Sequence, residues 1–137
     1  MLYIDVYIQH MKLDPTLSAP FYRQIEAQLA ESIRLGALAP HAALPSVRAL
    51  AAELLVSVIT VKQAYEALEA AGLVYSHQGR GTFVAPAGQQ AAEAQARRQF
   101  AHALRAAAAE ARARGVGEAE LRALALEILE ESCSRSA

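Results

Sequence analysis

Residues 20–84 carry helix starts and stops at such close spacing that only short elements fit between them. Pro20 suits a first helical turn with Ser18 as its cap, and Gly36 stops that helix. Pro40 and Pro45 break up the loop that follows. Ser46 opens a short helix through Leu54, Leu55-Val56 leaves room only for a tight turn, and Ser57 opens a longer helix that Gly72 closes. Between these marks, apolar residues recur at helical spacing. They are Phe21, Ile25, Leu29 and Ile33, with Tyr22 beside them, in the first helix. Val47, Leu50, Ala51 and Leu54 follow in the second, and Val61, Ala64, Tyr65 and Leu68 in the third. Leu73-Val74-Tyr75 and Thr82-Phe83-Val84 read as short strands joined by the turn His77-Gln78-Gly79-Arg80-Gly81.

The flanks differ in character. In residues 1–19, Leu2, Ile4, Val6 and Ile8 alternate with Tyr3, Asp5, Tyr7 and Gln9, the period of a strand. This stretch is either an N-terminal extension or, for residues 1–10, sequence preceding a start at Met11. In residues 85–137, Pro86 and Gly88 mark a boundary. Alanine then dominates from Gln89 to Arg114, with Phe100 and Leu104 as the bulky apolar residues. Gly115-Val116-Gly117 breaks that helix. A second runs from Glu118 to about Glu131, with Leu121, Leu124, Ala125, Ile128 and Leu129 on one face and Leu126 widening it. A pair this small cannot bury such a stripe within itself. It reads as a two-helix dimerisation tail that packs Phe100, Leu104, Leu121, Leu124 and Ile128 in a symmetric, self-complementary interface. The expected organisation is an extension (1–19), a central domain (20–84) and this tail (85–137).

Composition narrows the function classes. The chain has 137 residues, one domain plus an appendage. Its single cysteine, Cys133, excludes a disulfide framework and paired-cysteine zinc sites. No apolar run approaches the ~20 residues of a membrane span, and the N-terminus lacks signal-peptide features, so a cytoplasmic protein is expected. His10, His41, His77 and His102 are scattered, so no metal or other cofactor is expected. No paired carboxylates or nucleophile–base set point to an enzyme, and Gly79 and Gly81 do not form a phosphate-binding loop. The formal net charge is −1, with five basic and five acidic residues in 21–84. A nucleic-acid function must therefore rest on where charges sit.

The element order is mainly α: three helices and a two-stranded wing, a winged helix-turn-helix, followed by the two-helix tail. In this arrangement the third helix points its N-terminus into the major groove, braced by the second. Its dipole and free N–H groups favour phosphate there. Ser57 and Thr60 offer short hydroxyls, Lys62 a point charge, and Arg48 would lie beside it. The wing tip presents His77, Gln78 and Arg80, with Gly79 allowing close backbone approach; an exposed arginine there suits a narrow minor groove.

Leu44-Pro45-Ser46-Val47-Arg48, Thr60-Val61-Lys62-Gln63-Ala64-Tyr65 with Leu68-Glu69-Ala70-Ala71-Gly72-Leu73, and Gly79-Arg80-Gly81-Thr82-Phe83-Val84 resemble the signature of GntR-family transcription regulators. Pro20 to Ile25 extend the likeness, which covers residues 20–84. It implies DNA contacts at Ser46, Arg48, Ser57, Thr60, Lys62, Gly79 and Arg80, with His77 and Gln78 as additions. The 53 residues that remain are too few for the family's large effector domains and are similar to the YtrA-like branch, whose two short helices make the homodimer. That branch is linked to transporter operons. The resemblance thus implies a homodimeric regulator, a repressor, on a palindromic operator in double-stranded DNA, with no membrane partner. An unidentified small-molecule effector would bind between tail and DNA-binding domain. The alternative is a winged-helix module for protein contacts without operator binding.

Three positions depart from the family pattern. Leu55 and His41 stand where glycine is usual. Val58-Ile59 stand where polar residues usually open the recognition helix; these side chains lack base-reading donors but suit thymine methyls.

Overall fold

The computed structural model describes residues 9–136. The alternating stretch Leu2–Ile8 lies outside them. The elements are α1 (Phe21–Arg34), α2 (Val47–Leu54), α3 (Val58–Ala70), β1 (Val74–His77), β2 (Gly81–Val84), α4 (Gly88–Ala113) and α5 (Glu118–Arg135). One compact unit ends at Ala96 and a second begins at Arg97. Among the described residues, no helix is long and apolar enough to cross a membrane.

The core of the first unit is built from the periodic positions. Ile25, Leu29 and Ile33 of α1 meet Leu50 of α2, Val61, Ala64 and Leu68 of α3, and Leu73 and Val84 of the hairpin. All are buried. Phe21, expected on the same stripe, is only half-buried. The cap of α1 also differs from expectation. Pro20 holds the N-cap position with no side-chain cap bond, and Ser18 is exposed. Gln24 takes over the ordering of this end. Its amide nitrogen donates to the carbonyls of Asp14 (2.8 Å) and Ala19 (2.9 Å), and its oxygen accepts from the Asp14 N–H (2.8 Å). These bonds strap the preceding segment across α1 and help seat Met11 in the core.

The hairpin is antiparallel, with Val74 opposite Val84 and His77 opposite Gly81. His77 and Gly81 therefore belong to the strands, and the turn shrinks to Gln78-Gly79-Arg80. The loop between α1 and α2 docks on β2: the His41 N–H donates to the Val84 carbonyl and the Leu44 N–H to the Thr82 carbonyl, each at 2.8 Å. The Val84 N–H donates back to the Ala42 carbonyl at 2.9 Å.

The start of α4 packs into the first unit. Gly88 and Ala92 are buried, and Gln95 donates to the buried Glu26 carboxylate at 3.0 Å. The other Glu26 oxygen accepts from Arg23 at 2.9 Å, so the buried charge is paired. Gly88 is therefore a contact rather than a loop marker. A Cβ there would sit 2.8 Å from the Leu73 carbonyl oxygen, with Val84 and Ile33 close behind.

The second unit has little core of its own. None of the described residues of α5 is buried. Phe100, Leu104, Leu124, Leu126, Ile128 and Leu129 all remain exposed. Leu104, Ala108, Leu121, Leu124 and Ile128 are among the residues lining an apolar groove of about 470 Å³ between the last turns of α4 and the first turns of α5.

Gly88→Ala must displace backbone and should destabilise the protein by about 1–3 kcal/mol. The nearby exposed Glu93→Ala should stay within about 0.5 kcal/mol of the parent. Urea denaturation followed by circular dichroism reads both.

Candidate nucleic-acid interface

Two capped helix starts define the surface. The Ser46 hydroxyl accepts from the Ala49 N–H at 3.1 Å, which fixes the first turn of α2 and places exposed Arg48 on it. The Ser57 hydroxyl accepts from the Thr60 N–H at 3.1 Å. The Ser57 and Thr60 hydroxyls also lie 2.8 Å apart and bond to each other. Two of the polar side chains at the α3 N-terminus thus serve the cap, while the first backbone N–H groups of the helix stay open for phosphate.

Between the helices, Leu55 adopts left-handed backbone geometry, φ 57° and ψ 44°, and its side chain is 91% exposed. His41 is likewise left-handed at φ 65°. Both sites where the family pattern has glycine are thus sites where a side chain is strained. At Leu55 the side chain recovers almost no burial in exchange.

Val61, Ala64, Tyr65 and Leu68 turn α3 inward, which leaves Ile59, Lys62, Gln63 and Glu66 outward. Lys62 lies 3.9 Å from Glu66, a weak exposed pair. Among the described residues, neither Arg48 nor Arg80 has a carboxylate partner. His77, Gln78, Gly79 and Arg80 are all exposed at the wing tip.

Hydrogen bonds hold these pieces in one frame. The buried Tyr65 hydroxyl donates to the Pro45 carbonyl at 2.7 Å, tying the base of α2 to the recognition helix. Burial pushes this phenol well above its ordinary pKa, so it stays a donor at neutral pH. The Glu69 carboxylate accepts from the Ser76 N–H at 3.1 Å and ties α3 to the wing. On the wing, Tyr75 stacks on Phe83 with ring centroids 5.5 Å apart, and its hydroxyl lies 2.9 Å from His41 Nδ1. Tyr65 reads from sequence as core only. Its second role as a brace has no local signal, because its partner lies 20 residues away. Gln63, two residues after the core position Val61, lies on the outer face of α3, as helical period dictates.

All nine residues expected at DNA belong to the first unit, and eight are exposed, with Thr60 half-buried behind the cap. The five expected dimer residues belong to the second. Among the described residues, no group of three or more histidine, cysteine or acidic side chains converges as a metal site.

Leu55→Gly releases the left-handed strain at the cost of a freer unfolded chain, so stability should rise by up to about 1 kcal/mol. Leu55→Ile should lower it, since branching at Cβ worsens the same strain. Tyr65→Phe orphans the Pro45 carbonyl and should lose about 1–3 kcal/mol. Chemical denaturation of the three variants gives the ordering.

Residues 21–84 match the family described as bacterial regulatory proteins, gntR family. The HTH-type transcriptional repressor YtrA of Bacillus subtilis is 39% identical over 74 residues, 54% of this chain and 57% of that protein. The chain thus spans little more than half the length of this curated relative. The structure of YtrA from Sulfolobus acidocaldarius, a GntR-family transcription factor, is 39% identical with a TM-score of 0.52, covering 55% of this chain and 79% of that one. A transcriptional regulator from Oenococcus oeni is 26% identical with a TM-score of 0.61, covering 85% of this chain and 97% of that one. These relatives are transcription regulators and not enzymes. The chain belongs to the GntR family, and its likeness to both YtrA proteins supports the YtrA-like branch.

Proposed function

We propose that the chain is a homodimeric, sequence-specific DNA-binding transcription regulator that represses from a palindromic operator. The observation that carries the reading is the pair of exposed guanidinium groups, Arg48 and Arg80, which have no carboxylate partner among the described residues, on a frame that also presents the capped start of α3. Residues 20–84 act as the DNA-binding domain, and Ser46, Arg48, Ser57, Thr60, Lys62 and His77 to Arg80 as its contacts. The backbone N–H groups at α3 and the wing Gly79 meet phosphate, which positions the helix.

The tail supplies the second copy. The exposed stripe of Phe100, Leu104, Leu124 and Ile128, with half-buried Leu121, is a surface that a solitary chain leaves in water. A symmetric partner covers it by setting the same stripe against itself. Two copies then act on one duplex, and half-sites fall about 10 bp apart. Repression follows the named activity of the Bacillus subtilis relative. Control of a transporter operon rests on the branch resemblance alone, and an effector at the tail rests only on how short that tail is at the proposed subunit interface. A regulator of this kind works in the cytoplasm, where the chromosome is.

The test is a binding titration on the DNA upstream of the chain's own gene, at two salt concentrations, with a scrambled duplex as control. Expected is specific binding that weakens with salt and falls about 10- to 100-fold in Arg48→Ala. Binding to neither duplex at either salt would favour the protein-contact module instead. For the dimer, Leu124→Glu with Ile128→Glu should give a folded monomer in light scattering. A variant that stays dimeric would remove the tail from the interface.

A further inference from the structure

The recognition helix opens on side chains that a core does not need. Val58 is 46% exposed and Ile59 69% exposed, in the first turn of α3. Ile59 lies on the side of the helix opposite Val61, Ala64 and Leu68, all buried. The fold covers only part of Val58 and little of Ile59, so their size is largely unused by the core. Beside them the polar groups are already committed, since the Ser57 and Thr60 hydroxyls bond to each other. One turn on, Gln63 continues the face of Ile59, and no hydrogen bond within the described structure engages its amide. The outward surface of this turn thus carries two aliphatic chains and one free carboxamide, with the Lys62–Glu66 pair beside them.

Each of these groups has a distinct match on a base edge. In the major groove only thymine presents a methyl group, and an aliphatic side chain gains by covering it. A glutamine carboxamide pairs in two-point fashion with adenine N6 and N7. Guanine is disfavoured at the same place. Its O6 and N7 acceptors would lose water against an isoleucine that offers no donor. The combination selects A·T pairs over G·C pairs.

Resting on the DNA-binding reading above, the geometry points to Val58, Ile59 and Gln63 as specificity-determining residues. They read an A·T-rich stretch at the centre of each half-site, the aliphatic pair through thymine methyls and Gln63 through adenine. Lys62 on the neighbouring edge of the helix meets phosphate and adds affinity without sequence preference.

Deoxyuridine isolates the claim, because it removes the thymine methyl and leaves every hydrogen-bonding group in place. The full chain first selects duplexes from a random-sequence library. The selected duplex is then remade with deoxyuridine at each half-site thymine in turn. Expected are A·T-rich half-sites and, at the read positions, about a fourfold loss of affinity per missing methyl. Ile59→Ala should bind the thymine duplex more weakly and no longer distinguish it from the deoxyuridine duplex. Gln63→Ala should relax selection at the adjoining adenine while keeping the salt dependence of the parent. Because all three side chains are exposed, these variants should keep the parent's circular dichroism and melting curve. Deoxyuridine that binds as well as thymine at every position, on a duplex that is still bound specifically, overturns this inference and leaves the regulator reading standing. A library from which no preferred duplex emerges overturns both.

Discussion

The proposed DNA-facing surface depends on how the loop between α1 and α2 is held. Short helices at this spacing have too little contact with one another to keep their ends in register. The loop supplies the missing constraint from two sides. Its backbone pairs with β2 through His41, Ala42 and Leu44, so the wing cannot move without it. Its last residue, Pro45, is gripped by the Tyr65 hydroxyl from inside α3. Ser46 and Arg48 follow directly. Charges at the start of α2, along α3 and at the wing tip are thereby fixed in one frame, and a rigid frame loses little entropy when it meets a rigid duplex.

That constraint explains the tolerance of strain. Pairing with β2 and the abrupt turn between α2 and α3 force two residues into left-handed geometry, and both are residues with side chains, His41 and Leu55. Each costs roughly 1–2 kcal/mol by the sterics of Cβ. For His41 the bond to Tyr75 offsets part of this. For Leu55 nothing in the first unit does, since the side chain stands in solvent. The core of Ile25, Leu29, Leu50, Val61, Leu68 and Leu73 is large enough to absorb the difference.

Much of this was legible in the residues themselves. Ser46 and Ser57 cap the helices they were expected to cap, because an N-cap is a local bond spanning three residues. The inward faces of α2 and α3 follow from helical period alone. What stayed hidden is non-local. Ala42 and Ala43 have no strand preference, so nothing marked their pairing with β2. Gly88 looked like a breaker, yet it is a buried contact with Leu73, and only the path of the chain shows that. Ser18 looked like a cap, but the Gln24 side chain does that ordering from within α1. The exposed contacts proposed for DNA follow from motif spacing, whereas their freedom from ion pairs is a property of the folded chain.

A nearly neutral protein must obtain affinity for DNA from position rather than from total charge. Of five basic residues in residues 21–84, two face carboxylates on α1 and are committed there, Arg23 to Glu26 and Arg34 to Glu31. The remaining three are Arg48, Lys62 and Arg80, and all three lie on elements that present the proposed surface. Of the five acidic residues, Glu26 is buried and Glu69 is turned to Ser76. Glu53, Glu66 and Glu69 share α2 and α3 with Arg48 and Lys62, so the sum of charge on these elements favours no anion and any affinity rests on where each cation points. In the proposed dimer, three cations per copy would give a modest electrostatic pull from each copy on one duplex. With so little non-specific attraction to overcome, the proposed contacts to base edges would have to separate an operator from the rest of the chromosome.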